Sequence, residues 1–394
     1  MRAAVIGVGS MGTNHARVYN ELDEVELVAV ADNFGERAEF VAGRMGTGIR
    51  AYDDFLRMLD EQRPDLISIA VPTSEHLRVA RAAIERGIHV LVEKPIAANL
   101  IEAVEMAQLA ERHGVVLTVG HIERFNPAII ELQRRLEAGE LGRIFEIHAR
   151  RLGPFPPRIQ DVGVIVDLAT HDLDVIHKLV DSPATRVYAE TDRRIHSAHE
   201  DIVMGLIKFA NGVLAIIDIN WLTPTKIREL IVTGERGMFV ASYLTQELRY
   251  YQNLHIKDLS SPGALLGVSE GDMITYRLDR CEPLKAELRC FINSVRTGEP
   301  PCVTAVDGMS ALALAETLIE SSRLQLPIRL NGNGYATGGA HGAGAGDAAL
   351  PIWPYVSNAE GPIVGAVEVP DQVPVEVPVV VPLVPPLGAP AGAT

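Results

Sequence analysis

The chain has 394 residues, 47% of them hydrophobic, and a formal net charge of −15 at pH 7. This length allows a large buried core and two domains. The acidic balance argues against nucleic acid as a partner, because an acidic surface gains nothing from counterion release. No uninterrupted apolar stretch reaches the length of a membrane span, and no secretory signal precedes the first predicted strand. We therefore expect a cytoplasmic protein that binds neither nucleic acid nor membranes.

A glycine-rich turn lies between a predicted strand, Ala3–Ile6, and a predicted helix, Met11–Glu21. It reads Gly7-Val8-Gly9-Ser10-Met11-Gly12, the pattern of dinucleotide-binding folds. The first glycine permits the tight turn, the second lets the backbone approach a pyrophosphate, and the third allows close packing of helix on strand. The pattern predicts cofactor contacts at the positive helix end by Gly7, Gly9, Ser10, Met11 and Gly12. A turn that binds nothing is the alternative.

An acidic residue ends the second predicted strand, Glu26–Ala31. Asp32 follows Gly12 by about 20 residues, where a carboxylate accepts hydrogen bonds from the ribose diol of NAD. A 2′-phosphate would meet this carboxylate unfavourably, which favours NAD over NADP. Arg37 nearby leaves NADP open.

Apolar strand-like runs alternate with amphipathic helices as far as Val119. Further strands are predicted over Leu66–Val71, His89–Val92 and Val115–Val119, and further helices over Glu36–Met45, Asp53–Asp60, Ser74–Arg86 and Ile101–Arg112. Strands that are apolar throughout have helices on both faces. The alternation predicts an α/β fold with a doubly wound parallel sheet: an N-terminal Rossmann domain, residues 1–122, that binds its ligand at the carboxyl ends of the strands.

Two loops follow strand ends on that side of the sheet. In the first, Ser74 is predicted to cap a helix, and four residues are predicted to border the cofactor: Val71, Pro72, Thr73 and His76. The second is Glu93-Lys94-Pro95, where the proline keeps Lys94 out of helical geometry and where Glu93 and Lys94 are predicted to border the cofactor. The Lys94 ammonium can donate a hydrogen bond to a substrate hydroxyl. A surface lysine paired with Glu93 is the alternative.

The pattern changes at a long predicted strand, Arg143–Leu152, which leads into a proline-rich loop, Gly153–Arg158, and a helix, Val166–Val180. Strands follow over Arg186–Thr191, Ile202–Phe209, Val213–Trp221, Ile227–Thr233 and Met238–Ser242, and then two helices, Leu284–Arg296 and Ala305–Leu324. The hairpin signal Asn211-Gly212 favours an open, mostly antiparallel sheet. Residues 123–330 are therefore predicted to form a substrate-binding α/β domain whose free sheet face supports a homodimer or homotetramer.

One pair on the helix Val166–Val180 suits proton transfer. Asp167 and His171 are four residues apart and so share a helix face, where the imidazole can accept a proton and the carboxylate can orient it. A metal site and a structural histidine are the alternatives. Arg124 and Arg158 are candidates for holding an anionic or hydroxyl-rich substrate group, unless they form surface ion pairs.

Cys281, Cys290 and Cys302 have no metal-site spacing and are expected to be free thiols, as suits a reducing cytosol. Residues 331–394 are rich in Gly, Ala, Pro and Val and contain no Lys or Arg. This composition cannot form a packed core, so it predicts a disordered tail, with a docking segment around Trp353 and Tyr355 as the alternative.

Together these motifs resemble the Gfo/Idh/MocA family of sugar and cyclitol oxidoreductases. The resemblance covers approximately residues 1–330. It rests on Gly7–Gly12 with His15, on Asp32, on Glu93-Lys94-Pro95, and on Asp167-Leu168-Ala169-Thr170-His171-Asp172. It implies that Lys94, Asp167 and His171 converge on the substrate beside the nicotinamide.

Two further parts of the chain, Gly120–Pro127 and Arg151–Phe155 with Asp161–Val164, resemble the family branch that acts on nucleotide-activated amino sugars, closest to UDP-N-acetylglucosamine 3-dehydrogenase-like members. The implied reaction is oxidation of a ring hydroxyl at C3 by NAD. His171 would take the hydroxyl proton, Lys94 would hydrogen-bond the reacting oxygen, and Asp167 would support His171. A non-catalytic sensor that binds NAD or a sugar, and an NAD-dependent glycoside-cleaving enzyme without net NADH, are the alternatives.

Overall fold

The computed structural model describes residues 1–156, 162–195, 198–254 and 269–330. Arg158 and the predicted tail, residues 331–394, lie outside these ranges. Within them the chain forms one sheet of six strands and one of nine. In this part of the chain, no helix combines the length and the apolar character that a membrane crossing demands.

The first sheet consists of β1 (Arg2–Ile6), β2 (Glu26–Ala31), β3 (Arg50–Tyr52), β4 (Leu66–Ile69), β5 (His89–Glu93) and β6 (Leu117–Gly120). All neighbours are parallel, in the order β3-β2-β1-β4-β5-β6. The connecting helices are α1 (Ser10–Glu21), α2 (Gly35–Met45), α3 (Phe55–Gln62), α4 (His76–Ile84) and α5 (Leu100–His113). The predicted doubly wound sheet is confirmed. Its order reverses between β1 and β4, which places the ligand crevice at their carboxyl ends.

The second sheet follows α6 (Pro127–Glu137). Its strands are β7 (Ile144–Pro154), β8 (Ala184–Asp192), β9 (Ile202–Phe209), β10 (Leu214–Asn220), β11 (Leu222–Gly234), β12 (Gly237–Ser242), β13 (Glu247–Leu254), β14 (Ser269–Tyr276) and β15 (Ile328–Arg329). The order is β14-β13-β12-β11-β7-β10-β9-β8-β15. Only β7 and β10 pair in parallel; the other neighbours are antiparallel. The prediction of a large, mostly antiparallel sheet is confirmed.

The remaining helices are α7 (Thr170–Val180), α8 (Pro283–Thr297) and α9 (Ala305–Leu324). The helix α7 is buried against the second sheet, whereas α8 closes the first domain. Leu288 of α8 is buried in the core built around β1 and α1. Met309 of α9 is buried against the first sheet, whereas Leu318 of the same helix is buried against the second. Because α9 belongs to both cores, it fixes the second sheet beside the crevice of the first.

The sequence did not reveal several elements, α6 and β3 among them. The helix α6 begins at Pro127, which fixes φ and needs no hydrogen-bond donor in the first turn. The Asn126 side chain caps this helix by accepting the N–H of Ala128 at 3.1 Å. The strand β3 has three residues, too few for a periodic pattern.

The expectation of three free thiols is wrong. Cys290 of α8 and Cys302, before α9, form a disulfide with their Cα atoms 6.4 Å apart, whereas Cys281 is free and exposed. The turn between the two helices brings the two cysteines together. This turn could not be predicted from the spacing of the cysteines in the sequence. The cysteine content therefore gives no support for a reducing compartment.

Candidate active site

The glycine-rich turn has the geometry that a dinucleotide needs. Gly7 has a φ of +84°, and a Cβ there would stand 2.6 Å from the carbonyl oxygen of Ala70. A Cβ on Gly12 would overlap the carbonyl oxygen of Gly7, so helix and strand approach each other as predicted. A Cβ on Gly9, by contrast, would meet open space, which leaves room for a pyrophosphate.

The first turn of α1 offers free donors to that space. Gly9 caps the helix without a side-chain hydrogen bond, and the first bond across the turn runs from the Thr13 N–H to the Gly9 carbonyl at 3.0 Å. The amides of Ser10, Met11 and Gly12 therefore have no partner within the helix and can bind an anion. The residues predicted to contact the cofactor diphosphate thus fit this group.

Asp32 lies beside the same turn. Its carboxylate accepts the N–H of Val8 at 2.9 Å and that of Phe34 at 3.0 Å. Arg37 Nη1 lies 3.2 Å from Asp32 Oδ2. A carboxylate offers about four acceptor positions, so two amides leave capacity for ribose hydroxyls. The carboxylate thus lies beside the glycine-rich turn with Arg37 partly neutralising it, and its contact with the ribose of NAD stays a prediction.

The loop after β4 leads to a histidine that contacts the loop after β5. A 3₁₀ turn, Thr73–Glu75, precedes α4, so the predicted helix cap at Ser74 is wrong. His76 is 1% exposed, with Nδ1 2.9 Å from the carbonyl oxygen of Pro95 and Nε2 3.1 Å from that of Val71. The imidazole thus ties the two strand-end loops together. The predicted contact of this loop with the cofactor stays a prediction.

Glu93 is buried beneath Lys94 in a chain of hydrogen bonds. Its Oε1 lies 2.8 Å from His15 Nε2, and His15 Nδ1 lies 3.0 Å from Ser68 Oγ, which the Tyr19 hydroxyl contacts at 2.8 Å. Glu93 Oε2 accepts the Lys94 N–H at 3.3 Å. The chain anchors the Lys94 backbone in the Rossmann core. The cofactor contact predicted for Glu93 stays a prediction.

Lys94 and Asp167 meet across the cleft between the two domains. Lys94 Nζ donates to the main-chain oxygen of Asp167 at 2.6 Å and lies 3.3 Å from Asp167 Oδ1. The two side chains are 13% and 20% exposed, so the pair lines the cleft wall. Lys94 therefore contacts both the main-chain oxygen and, at the longer distance, the carboxylate of Asp167, which the sequence had assigned to His171.

The segment that carries Asp167, Ile165–Ala169, is a π-helical turn that leads directly into α7. The contact that the structure shows for the Asp167 side chain is with Lys94, which follows β5 and is distant in the chain, so the spacing within the helix did not reveal it. Glu200 fixes the start of the segment, because its Oε1 accepts the Ile165 N–H at 3.2 Å and its main-chain oxygen accepts the Val164 N–H at 3.0 Å. A Cβ on Gly163 would overlap the Glu200 carboxylate.

His171 lies in the first turn of α7. Its Nδ1 is buried and has no hydrogen-bond partner among the described residues. Burial, followed by the positive charges of Lys94 and Arg151, holds the pKa of the imidazole well below its usual value of 6.5. The ring is therefore neutral at neutral pH, which is the charge state that a general base needs.

Arg124 anchors the helix that carries His171. Its guanidinium donates to Asp174 of α7 at 2.6 and 2.7 Å and pairs with Asp307 of α9 at 2.9 Å. The Arg124 side chain is 8% exposed. Because two carboxylates already satisfy it, Arg124 has a bracing geometry and not the open one expected of a substrate anchor. Arg158, the second candidate, lies outside the described residues.

A second buried arginine, Arg151 of β7, binds the same helix. It lies 2.5 Å from Asp172 of α7 and 2.9 Å from Glu123, and its guanidinium stacks 4.9 Å from the Tyr243 ring centre. Sequence reasoning did not single it out. The available signal was its place on the same strand face as the apolar Ile147 and Ala149, because a buried charge requires a partner.

Residues 1–121 match the family described as "Oxidoreductase family, NAD-binding Rossmann fold", and residues 129–240 match the "GFO/IDH/MocA C-terminal domain". UDP-N-acetylglucosamine 3-dehydrogenase of Acidithiobacillus ferrooxidans is 32% identical over 320 residues, 80% of this chain and 95% of that protein. The scyllo-inositol 2-dehydrogenase (NAD(+)) of Bacillus subtilis is 27% identical over 343 residues, 84% of this chain and 96% of that protein.

Solved structures agree in fold. The UDP-N-acetylglucosamine 3-dehydrogenase of A. ferrooxidans superimposes with a TM-score of 0.72 at 30% identity, covering 82% of this chain and 98% of that one. Levoglucosan dehydrogenase in complex with NADH superimposes with a TM-score of 0.73 over 84% of this chain and 98% of that one. At 20% identity the second likeness concerns the fold alone.

Proposed function

The chain belongs to the Gfo/Idh/MocA family of NAD-binding oxidoreductases, and from that premise we propose that it oxidises a sugar ring hydroxyl. The substrate is a nucleotide-activated amino sugar such as UDP-N-acetylglucosamine, and the reacting carbon is C3. The observation that carries the proposal is the contact of Lys94 with Asp167 beside a neutral His171 in the interdomain cleft.

Bound NAD supplies the hydride acceptor in this reaction. The chain's own residues move the proton. Because His171 Nδ1 is enclosed, Nε2 is the atom that takes the hydroxyl proton. The Lys94 ammonium donates a hydrogen bond to the reacting oxygen and stabilises its developing negative charge. Asp167 keeps the ammonium aimed into the cleft.

The similarity to the A. ferrooxidans enzyme supports the choice of substrate class, since it spans nearly the whole of that protein. The inositol dehydrogenases among the relatives share the chemistry of oxidising a ring hydroxyl, but they act on an unactivated ring. A substrate panel that includes both classes therefore decides between them.

The experiment is to measure NADH formation from NAD with UDP-N-acetylglucosamine, UDP-N-acetylgalactosamine, N-acetylglucosamine and myo-inositol. We expect turnover of the first two and weak or no turnover of the last two. A Lys94→Met variant should bind NAD in calorimetry without turning over, while Lys178→Met, an exposed lysine on α7, should match wild type. NAD binding without NADH formation from any of these sugars would refute the proposal and favour a sensor.

We also propose that the chain forms a homo-oligomer through the outer face of the second sheet. On that face Met204 and Leu206 of β9 are 57% and 51% exposed, and Leu214 of β10 is 42% exposed. Exposed apolar side chains grouped on one sheet face are typical of protein interfaces. Light scattering on the wild type and on Leu206→Glu tests this, and a monomeric wild type would contradict it.

A further inference from the structure

One cation within electrostatic reach of His171 has no carboxylate partner in the part of the chain that the structure describes. Arg228 of β11 lies opposite Arg151 of β7 in the strand register. Directly paired residues point to the same face of a sheet, so both arginines are on the face that the helices cover. Arg151 is paired with Asp172 and Glu123. No hydrogen bond or ion pair joins the Arg228 guanidinium to any residue within the described ranges.

The surroundings of Arg228 make this lack of a partner unusual. Burial, followed by the positive charge of Arg151, lowers the pKa of Arg228, even though the carboxylates of Glu123, Asp172 and Asp167 act in the opposite direction. Arginines inside proteins are normally paired, because an unpaired buried charge is costly. A half-buried guanidinium that contacts no oxyanion of the described residues is therefore available for a ligand oxyanion.

The position of Arg228 links it to the reacting groups. It is one of the charged groups that lower the pKa of His171, together with Lys94 and Arg151, and Asp167 acts on it in turn. A molecule held between Lys94 and His171 is thus within electrostatic reach of Arg228. Its strand, β11, belongs to the second sheet, whereas Lys94 follows β5 of the first sheet.

We propose that Arg228 is the anion-binding residue of the substrate subsite, and that the sugar oxidised here carries an oxyanion close to its ring. A guanidinium binds phosphate and carboxylate oxygens in a bidentate manner, which also fixes the ring's orientation. Two sources share this chemistry: the diphosphate of a nucleotide sugar and the carboxylate of a uronic acid. The inference rests on the proposed function for its substrate and assigns the residue that binds the substrate's anionic group.

The test compares wild type, Arg228→Met and Arg228→Lys, with Arg186→Met as the matched control, an exposed arginine on β8. Steady-state NADH formation is measured with N-acetylglucosamine, its uronic acid, UDP-N-acetylglucosamine and the UDP-linked uronic acid. Losing a charge-assisted hydrogen bond corresponds to roughly a 10- to 100-fold loss of affinity. We expect Arg228→Met to raise KM by that factor for the anionic sugar that the subsite recognises. The neutral sugar should be unaffected, and Arg228→Lys should be intermediate.

The four sugars distinguish the diphosphate from the carboxylate as the group that Arg228 binds. A loss with UDP-N-acetylglucosamine identifies the diphosphate, and a loss confined to the two uronic acids identifies the carboxylate. Equal KM changes for neutral and anionic sugars, or none with any anionic sugar, would overturn the inference.

Calorimetry tests the role of Arg228 independently of the proposed reaction. It measures binding of UDP-N-acetylglucosamine and of the free uronic acid to NAD-loaded protein. If no sugar yields NADH, binding of either ligand to wild type and Arg186→Met but not to Arg228→Met still supports the subsite. Absent binding of both ligands to wild type, or equal binding to wild type and Arg228→Met, would overturn it.

Discussion

The Lys94 ammonium nitrogen lies 2.6 Å from the main-chain oxygen of Asp167, so a residue of the Rossmann domain is held by the backbone of the second domain. The carboxylate of Asp167 is farther away, at 3.3 Å. The π turn that presents this carbonyl and the buried Glu93 beneath Lys94 fix the two sides of the contact. Lys94 is therefore positioned mainly by the main-chain oxygen of Asp167. Substitution of the Asp167 side chain should for this reason have a smaller effect than substitution of Lys94.

Removal of the Asp167 carboxylate should cost less than removal of Lys94. Asp167→Asn keeps the 2.6 Å main-chain contact and loses only the longer ion pair. Lys94→Met removes the donor to the reacting oxygen, so kcat should fall roughly 10²- to 10⁴-fold, whereas Asp167→Asn should lower kcat by about 10-fold or less. Steady-state kinetics with calorimetric NAD binding checks both. An Asp167→Asn loss as large as that of Lys94→Met would show that the carboxylate itself acts on substrate.

The acid limb of the pH–rate profile should lie below the usual histidine range. The folded-state pKa of His171 is depressed by burial and by Lys94, so the neutral base persists as pH falls through 6.5. We expect kcat/KM to stay level through that value and to decline only at lower pH. Thermal stability recorded at each pH serves as the control for acid unfolding. A midpoint at or above 6.5 would mean that another group is the base.

Asp32 should decide the choice between NAD and NADP. Asp32→Ser removes the carboxylate that a 2′-phosphate would meet and releases Arg37, which now lies 3.2 Å from it. The ratio of kcat/KM for NADP to that for NAD should rise roughly 10- to 100-fold, since a charge-assisted hydrogen bond replaces a repulsion. The matched control is the double variant Asp32→Ser with Arg37→Met, in which the gain should largely disappear. An unchanged ratio in Asp32→Ser would contradict the assignment.

Replacing Glu287 with Gln should stabilise the fold above acidic pH. Glu287 of α8 is 2% exposed, and neither of its carboxylate oxygens has a hydrogen-bond partner among the described residues. Burial, with the negative charges of Glu93 and Asp174, raises its pKa well above 4.5. The folded protein therefore holds a proton that the unfolded chain releases, so stability falls as pH rises from 4.5 towards the folded-state pKa.

Glu287→Gln lacks this titration. Its free energy of unfolding should exceed that of wild type by about 1–2 kcal/mol near pH 8, and the difference should shrink as pH falls towards 4.5. Thermal or urea unfolding at several pH values measures it, with the exposed Glu299→Gln as the control. A variant less stable than wild type near pH 8 would show that Glu287 is ionised and serves a partner.

The fold and the cofactor turn could be predicted because their signals are local. Gly7, Gly12 and Asp32 occupy fixed places between a strand and a helix, and the structure shows the close approaches that require those glycines. The strand and helix periodicities likewise gave the order of elements in both domains. The short strand β3 was missed because three residues are too few for a periodic apolar pattern. The helix α6 was overlooked although Ile129, Leu132 and Leu136 have helical spacing.

The remainder of the site depends on long-range contacts. The pairings of Arg124 with Asp307 and of Arg151 with Glu123, and the Cys290–Cys302 disulfide, all require knowledge of which elements become neighbours. Asp167 was assigned to His171 from their spacing along one helix, whereas its contact with Lys94 joins residues that are 73 positions apart in the chain. The sequence carried no signal for Arg228, because its lack of a carboxylate partner among the described residues becomes visible only when the pairs formed by Arg151 are known.

The central claim is that the C3 hydrogen of a nucleotide-activated amino sugar leaves as hydride while His171 takes the hydroxyl proton. The most direct measurement supplies UDP-N-acetylglucosamine deuterated at C3 together with NAD and analyses the nucleotide product by mass spectrometry. Deuterated NADH, formed more slowly than NADH from unlabelled sugar and absent in His171→Asn, is the predicted result. NADH without deuterium, or undiminished deuterium transfer in His171→Asn, would contradict the claim.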